Sequence, residues 1–256
     1  EVFMKQPSKD LTQGSLWKNI FVFSIPLMLS NVLQVLFNMS DIAVVGRFAG
    51  PLALGSVGST AILVTMFTGF LIGLAGGINV LTYLGAGKKQ ALSHTVHSAL
   101  IVSICSGLAL LLFGICFARP VLEILHTKEE LIDGSVLYLR IYFLGMPFFM
   151  VYNFGASILR SMGDTKRPLY CLVAAGIINT VLNLLLVIVF QMSVAGVAIG
   201  TVVANMFSAG VIIYILRHEK GPFKLDIKHL QITRPELRKV LQIGVPAGIQ
   251  GMVFSI

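Results

Sequence analysis

The chain has 256 residues, of which 56% are hydrophobic and only 12% charged, and its mean hydropathy is +0.88. Soluble domains carry about 25% charged residues, whereas apolar runs of about 20 residues, each able to cross a bilayer core of about 30 Å, recur along this sequence. A soluble fold is therefore excluded, and without strand-period alternation so is a β-barrel; the fold class is an all-α polytopic membrane protein. The net charge of +8 would suggest nucleic acid in a soluble protein, but here the basic residues cluster between apolar runs and report topology instead. No nucleic-acid partner is expected; the lipid bilayer is.

In chain order, residues 1–17 form a polar, mildly basic segment with no cleavable signal. Spans are predicted at roughly 18–44, 52–82, 91–118, 132–159, 167–190 and 194–216, with a seventh from about 237 to the end at Ile256. Breakers support the divisions: Gly50-Pro51, Gly85-Ala86-Gly87, Arg119-Pro120, and Gly163 with Pro168.

The first span carries Ser24, Asn31, Gln34, Asn38 and Asp41 on an otherwise apolar segment. At about 100° per residue they fall within a stripe about 100° wide. An unpaired polar group in hydrocarbon costs several kcal/mol, so this stripe is expected to face protein or a water-filled cavity. Pro26 in the first span and Pro147 in the fourth remove a backbone donor and predict kinks; Pro26 is also a place where a helix can bend between two states. The second span holds a double G-x-x-x-G of Gly69, Gly73 and Gly77, and the sixth another of Gly196 and Gly200, which predict close helix packing. The three cysteines, Cys105, Cys116 and Cys171, lie in apolar runs without metal or redox spacing and read as small buried apolar residues.

Lys and Arg placement sets the orientation. With the N-terminus inside, the cytoplasmic segments hold 15 of the 19 basic residues, seven of them between Arg217 and Lys239. The opposite loops hold only Arg47, Arg119 and Lys128, beside Glu123, Glu129, Glu130 and Asp133. Arg140, inside the fourth span, is expected to snorkel towards the outer interface. Placing Pro26 on Pro246 also aligns a basic foot, Lys18 on Arg238, with an apolar run in each copy. The offset contains six spans, so both copies enter the membrane in the same direction, as in transporters built from parallel repeats. The domain expectation is thus a cytoplasmic segment 1–17, a six-helix lobe 18–216, a cytoplasmic linker 217–236 and the truncated start of a second lobe, 237–256.

Of eleven Asp and Glu residues, only Asp41 lies within a span, about 9 Å inside Arg47 at 1.5 Å per residue. A carboxylate at that depth must be paired, hydrated or protonated, which suits a group that exchanges a proton for another ligand. On the fifth span Asn179 and Asn183 are four apart and share a face; cation ligation and interhelical packing are both open readings of that spacing. Thr201, Asn205 and Ser208 share a face of the sixth, where packing is the leading reading. His94 and His97 lie on different faces and have no obvious acidic partner, and no phosphate loop, zinc spacing or nucleophile elbow appears. An enzyme is not expected, nor is any cofactor.

Several segments together resemble the multidrug and toxic compound extrusion (MATE) transporters: Leu16-Trp17-Lys18 through Ile25-Pro26, Asn38 to Asp41 and Val45-Gly46-Arg47; Ala86-Gly87-Lys88-Lys89; the stretch from Leu159 to Pro168; and Asn179 to Asn183 followed by Val194 to Thr201. The resemblance implies a twelve-helix, two-lobed antiporter that exports organic, often cationic, drugs in exchange for H⁺ or Na⁺. It further implies a cation-coupling site of Asp41, Asn179, Asn183 and Thr201, with Gln34, Asn38 and Asn153 lining a substrate cavity. Some members carry an acid where this chain has Asn183, which leaves the coupling ion open. The expected setting is the inner (plasma) membrane with a cytoplasmic N-terminus, and the expected partner is the C-terminal lobe of the same transporter. The alternative is a lipid-linked oligosaccharide flippase of a related branch, against which stands the single basic residue, Arg140, within the spans. A seven-helix receptor is disfavoured by the parallel repeat.

Overall fold

The computed structural model describes residues 16–85, 89–219, 223–226 and 234–253. The segment 1–15, residues 86–88 of the basic loop, and residues 220–222 and 227–233 of the expected linker lie outside the described residues. Among the described residues eight α-helices follow in order: α1 (Leu16–Phe48), α2 (Pro51–Gly85), α3 (Lys89–Ile124), α4 (Glu129–Leu144), α5 (Met146–Ser161), α6 (Lys166–Leu184), α7 (Ser193–His218) and α8 (Arg234–Val253). Five are long and apolar enough to cross a membrane, and the bent pair α4–α5 makes a sixth span. The Gly50 turn between α1 and α2 needs a left-handed backbone, φ 88°, which glycine adopts without steric cost.

α1 runs unbroken through Pro26, whose carbonyl accepts a 2.8 Å hydrogen bond from Ser30 Oγ. The fourth span does break, by 45°, and the break falls at Gly145 rather than at Pro147. Pro147 takes the second position of α5, where a missing N–H leaves no intrahelical bond unmade; its ring blocks continuation of the preceding helix, and the chain yields at Gly145, two residues upstream.

α2 lies at the centre of the bundle, against α3, α4, α5 and α8. Its tightest partner is α8, with the glycine stripe as the contact. A Cβ on Gly73 would sit 2.2 Å from the Ala247 carbonyl oxygen, one on Gly77 2.7 Å from Gly244 Cα, and one on Gly251 2.4 Å from the Gly69 carbonyl oxygen. The two helices run antiparallel and touch backbone to backbone, as small residues permit in an apolar solvent.

α1 is the opposite case. Trp17, Phe21, Ile25, Met28, Val32, Val35 and Met39 are all exposed, and the helix touches the bundle chiefly through α6. Apolar here does not mean buried in protein. For that reason the reading of the cysteines is corrected: Cys105 and Cys116 are exposed on outer helix faces and only Cys171 is buried. Arg140 is likewise on an outer face.

At the end of the bundle where α6 begins and α7 ends, buried Arg167 is paired with Asp164 and with Glu219. Beyond α7 the chain folds back: the Leu225 N–H donates to the Leu216 carbonyl at 3.0 Å, and the Asp226 N–H to His97 Nε2 at 3.1 Å.

Candidate functional site

Asp41 sits on the last third of α1, and the helices that meet it are α6 and α7. Its side chain is only 6% exposed. Asn183 Nδ2 donates to Asp41 Oδ1 at 2.5 Å, and Thr201 Oγ1 lies 3.2 Å from Oδ2. Asn183 Nδ2 also reaches Asn179 Oδ1 at 3.2 Å, and Asn179 Nδ2 donates to Thr201 Oγ1 at 3.2 Å. One carboxyl group, two amides and one hydroxyl thus form a closed ring of hydrogen bonds. Bonds to an ionised acceptor are about twice as strong as neutral ones, so the ring offsets part of the cost of holding a carboxylate out of water.

The local sequence explains why these groups meet. Asn179 and Asn183, one turn apart on α6, point the same way. On α7, Gly200 precedes Thr201, and a Cβ there would lie 2.2 Å from Asn183 Oδ1; only glycine lets α7 approach this closely. On the other flank, Phe37 of α1 packs over Gly176 of α6, in the space a Cβ would occupy at 1.8 Å. Directly after the site, α6 changes to a π-helical turn at Leu185–Val189, a rare geometry that occurs mostly as local bulges, often at functional sites.

Thr201 has one hydroxyl proton and two acceptors in reach, Asp41 Oδ2 and the Val197 carbonyl at 3.1 Å. With Asp41 ionised, Thr201 donates to the carboxylate. With Asp41 protonated, the carboxyl can donate to Thr201 Oγ1 while Thr201 donates to Val197. The ring can therefore pair either protonation state, but protonation exchanges charge-assisted bonds for neutral ones of about half the strength. Asn183 Oδ1 is buried and has no hydrogen-bond partner among the described residues, a costly position for a carbonyl oxygen.

The ring opens onto a cavity of about 140 Å³ between α1, α2, α4, α5, α6 and α7. Gln34 and Asn38 of the α1 stripe line it together with Asp41. Asn153 does not: it is 4% exposed, its Nδ2 donates to the Phe149 carbonyl at 2.8 Å, and it is absent from the lining. Neighbours on a helix point about 100° apart, and here Tyr152 takes the cavity side. The lining also includes Asn205 and Ser208, which the sequence placed on the Thr201 face but read as packing, and Thr65, Thr68 and Tyr142, which it did not single out. Among the described residues no group of three or more His, Cys, Asp or Glu gathers to hold a metal ion.

Residues 26–185 match the MatE family. The chain is 32% identical over 250 residues to a probable multidrug resistance protein, YpnP, of Bacillus subtilis (strain 168), covering 96% of this chain and 55% of that protein. It is 25% identical over 254 residues to the multidrug export protein MepA of Staphylococcus aureus (strain MRSA252), covering 95% and 56% respectively. It is also similar in fold to a crystal structure of MATE in complex with MaD3S, with a TM-score of 0.87 and 23% identity, covering 98% of this chain and 57% of that one. The chain spans about half the length of each relative.

Proposed function

The chain belongs to the MatE family, and on that premise we propose that it forms the first lobe of a cation-coupled exporter of organic, often cationic, drugs. Domains follow from this reading: a cytoplasmic segment 1–17, a transmembrane lobe 18–216, a linker 217–236, and the start of a second lobe, 237–256. The protein acts as a transporter of the inner (plasma) membrane with its N-terminus in the cytoplasm, and needs its C-terminal lobe to close the substrate cavity.

One observation carries the reading. Asp41, among the described residues the one buried carboxyl group on a helix, sits in a ring of Asn179, Asn183 and Thr201 at the edge of a polar cavity. We assign these four residues to cation coupling, and Gln34 and Asn38 to the substrate cavity. Loading Asp41 with a cation neutralises it, removes its attraction for a cationic substrate and loosens the contacts holding α1 on α6 and α7; Pro26 is the site of the resulting bend. For the ion to drive export it must bind the two states with different affinity.

The coupling ion is H⁺ or Na⁺, and the hydrogen bonds favour a proton in this conformation. A proton on Asp41 has an acceptor in Thr201 without rearrangement. Na⁺ takes oxygen ligands, yet Asn183 aims its N–H at the carboxylate, so its amide would first have to turn and bring its unpartnered oxygen to the ion.

In reconstituted full-length transporter, Asp41→Asn is expected to abolish export of a fluorescent organic cation under imposed proton or sodium gradients. A wild-type rate from this variant would sink the mechanism. Its thermal unfolding midpoint, kept near wild type by the similar size of Asn, separates lost coupling from lost fold.

A further inference from the structure

A second cavity lies away from the polar site, on the outer face of the bundle between α6 and α7. It is an apolar groove of about 390 Å³, lined by Cys171 and Ala174 on α6 and by Phe207, Gly210, Val211 and Tyr214 on α7. The groove has small residues on both walls, Ala174 on α6 and Gly210 on α7. A Cβ placed on Gly210 would meet nothing within 4 Å, so no protein atom fills the gap beside it. From Tyr214 to Phe207 it runs about 10 Å along α7 at 1.5 Å per residue, parallel to the spans.

One end of this groove is basic. Arg167 of α6 is ion-paired with Glu219 just beyond α7, which brings the first turn of α6 and the last turn of α7 together. Lys166 continues the stripe of Tyr170 and Ala174, and Arg217 that of Gly210 and Tyr214, at i, i+3 and i+4 steps. Both cations are exposed. The nearby carboxylates, Asp164 and Glu219, are both engaged by Arg167, and among the described residues neither Lys166 nor Arg217 is ion-paired. His218, also at this end, packs against Tyr214 with ring centroids 4.2 Å apart and the ring planes tilted by 39°. Tyr170 and Tyr214, 45% and 53% exposed, are amphipathic rings of the kind enriched at the membrane–water interface.

We propose that this groove is a specific site for an anionic phospholipid, with one acyl chain between α6 and α7 and the phosphate between Lys166 and Arg217. The apolar channel and the paired cations match the two halves of such a molecule, whereas a zwitterionic lipid would gain only the first. Juxtamembrane cations contribute about 1 kcal/mol each towards anionic lipid, roughly fivefold in affinity per residue and about 30-fold for the two. The proposal depends on the membrane setting and is independent of the ion coupling at Asp41.

The test is native mass spectrometry of the chain exchanged into mixed phosphatidylglycerol and phosphatidylcholine. One retained phosphatidylglycerol is expected, with its preference over phosphatidylcholine falling about 30-fold in Lys166→Gln/Arg217→Gln. Gly210→Leu fills open space in a helix, and so should fold normally while losing the retained lipid. Equal retention of the two lipids by the unaltered chain would overturn the proposal, as would a Gly210→Leu protein that keeps its phosphatidylglycerol. Displacement by soluble glycerophosphate alone would overturn it too, since the acyl chain would then contribute nothing.

Discussion

The α2–α8 seam and the ring around Asp41 are two ways of joining helices where the solvent offers no hydrophobic drive. At the seam the chain discards side chains: Gly69, Gly73 and Gly77 meet Gly251, Ala247 and Gly244 backbone to backbone, with no room for a Cβ on Gly73, Gly77, Gly244 or Gly251. At the ring it spends side chains instead, and α1 is held on α6 and α7 by directed hydrogen bonds beside a cavity. Van der Waals contact is lost steeply with separation, so the first kind of joint has one good arrangement. The second can exchange partners, because its groups are both donors and acceptors. The difference assigns a fixed joint to α2–α8 and a changeable one to α1.

The largest effect that would break this contrast is at the seam. Gly73→Ala places a methyl 2.2 Å from the Ala247 carbonyl oxygen, with backbone on both sides, and is expected to destabilise by about 3 kcal/mol. The thermal unfolding midpoint in detergent reports it; a shift no larger than that of a surface substitution would mean that the seam is not tight. Gly200→Ala intrudes on a side chain, Asn183 Oδ1, which can turn away. Losing the Asn183–Asp41 bond then costs about 2 kcal/mol, and transport should fall more sharply than stability. A variant that lowers only stability would place Gly200 with the seam glycines. The smallest effect has the opposite sign. Gly76, on the same helix as Gly73, has nothing within 4 Å of a Cβ, so Gly76→Ala should raise stability by up to about 1 kcal/mol through helix propensity. If both alanine variants behaved alike, glycine content rather than contact would explain the seam.

How much was legible beforehand varied with the physics involved. Asp41 stood out because a charge in hydrocarbon is costly enough to need a reason, and the one-turn spacing of Asn179 and Asn183 made them a shared face. Asn205 and Ser208 were also on the right face, but hydroxyl and amide groups inside spans serve packing as readily as cavities, so spacing could not separate the two. Asn153 was misplaced by one residue, and on a helix that is enough to turn a side chain from cavity to core. Cys105 and Cys116 were misread because the rule that apolar residues are buried presumes water outside.

By itself, the sequence determined the membrane class, the six spans and the start of a seventh, and the one carboxyl group that needs partners. All of these follow from composition and local period, which act over a few residues. Only the tertiary structure decided that α8 lies on the α2 glycines, that the fourth span yields at Gly145, and that Asp41 meets Asn183 and Thr201 across 142 and 160 residues of chain. Those contacts depend on how helix surfaces fit one another, and no local period carries that information.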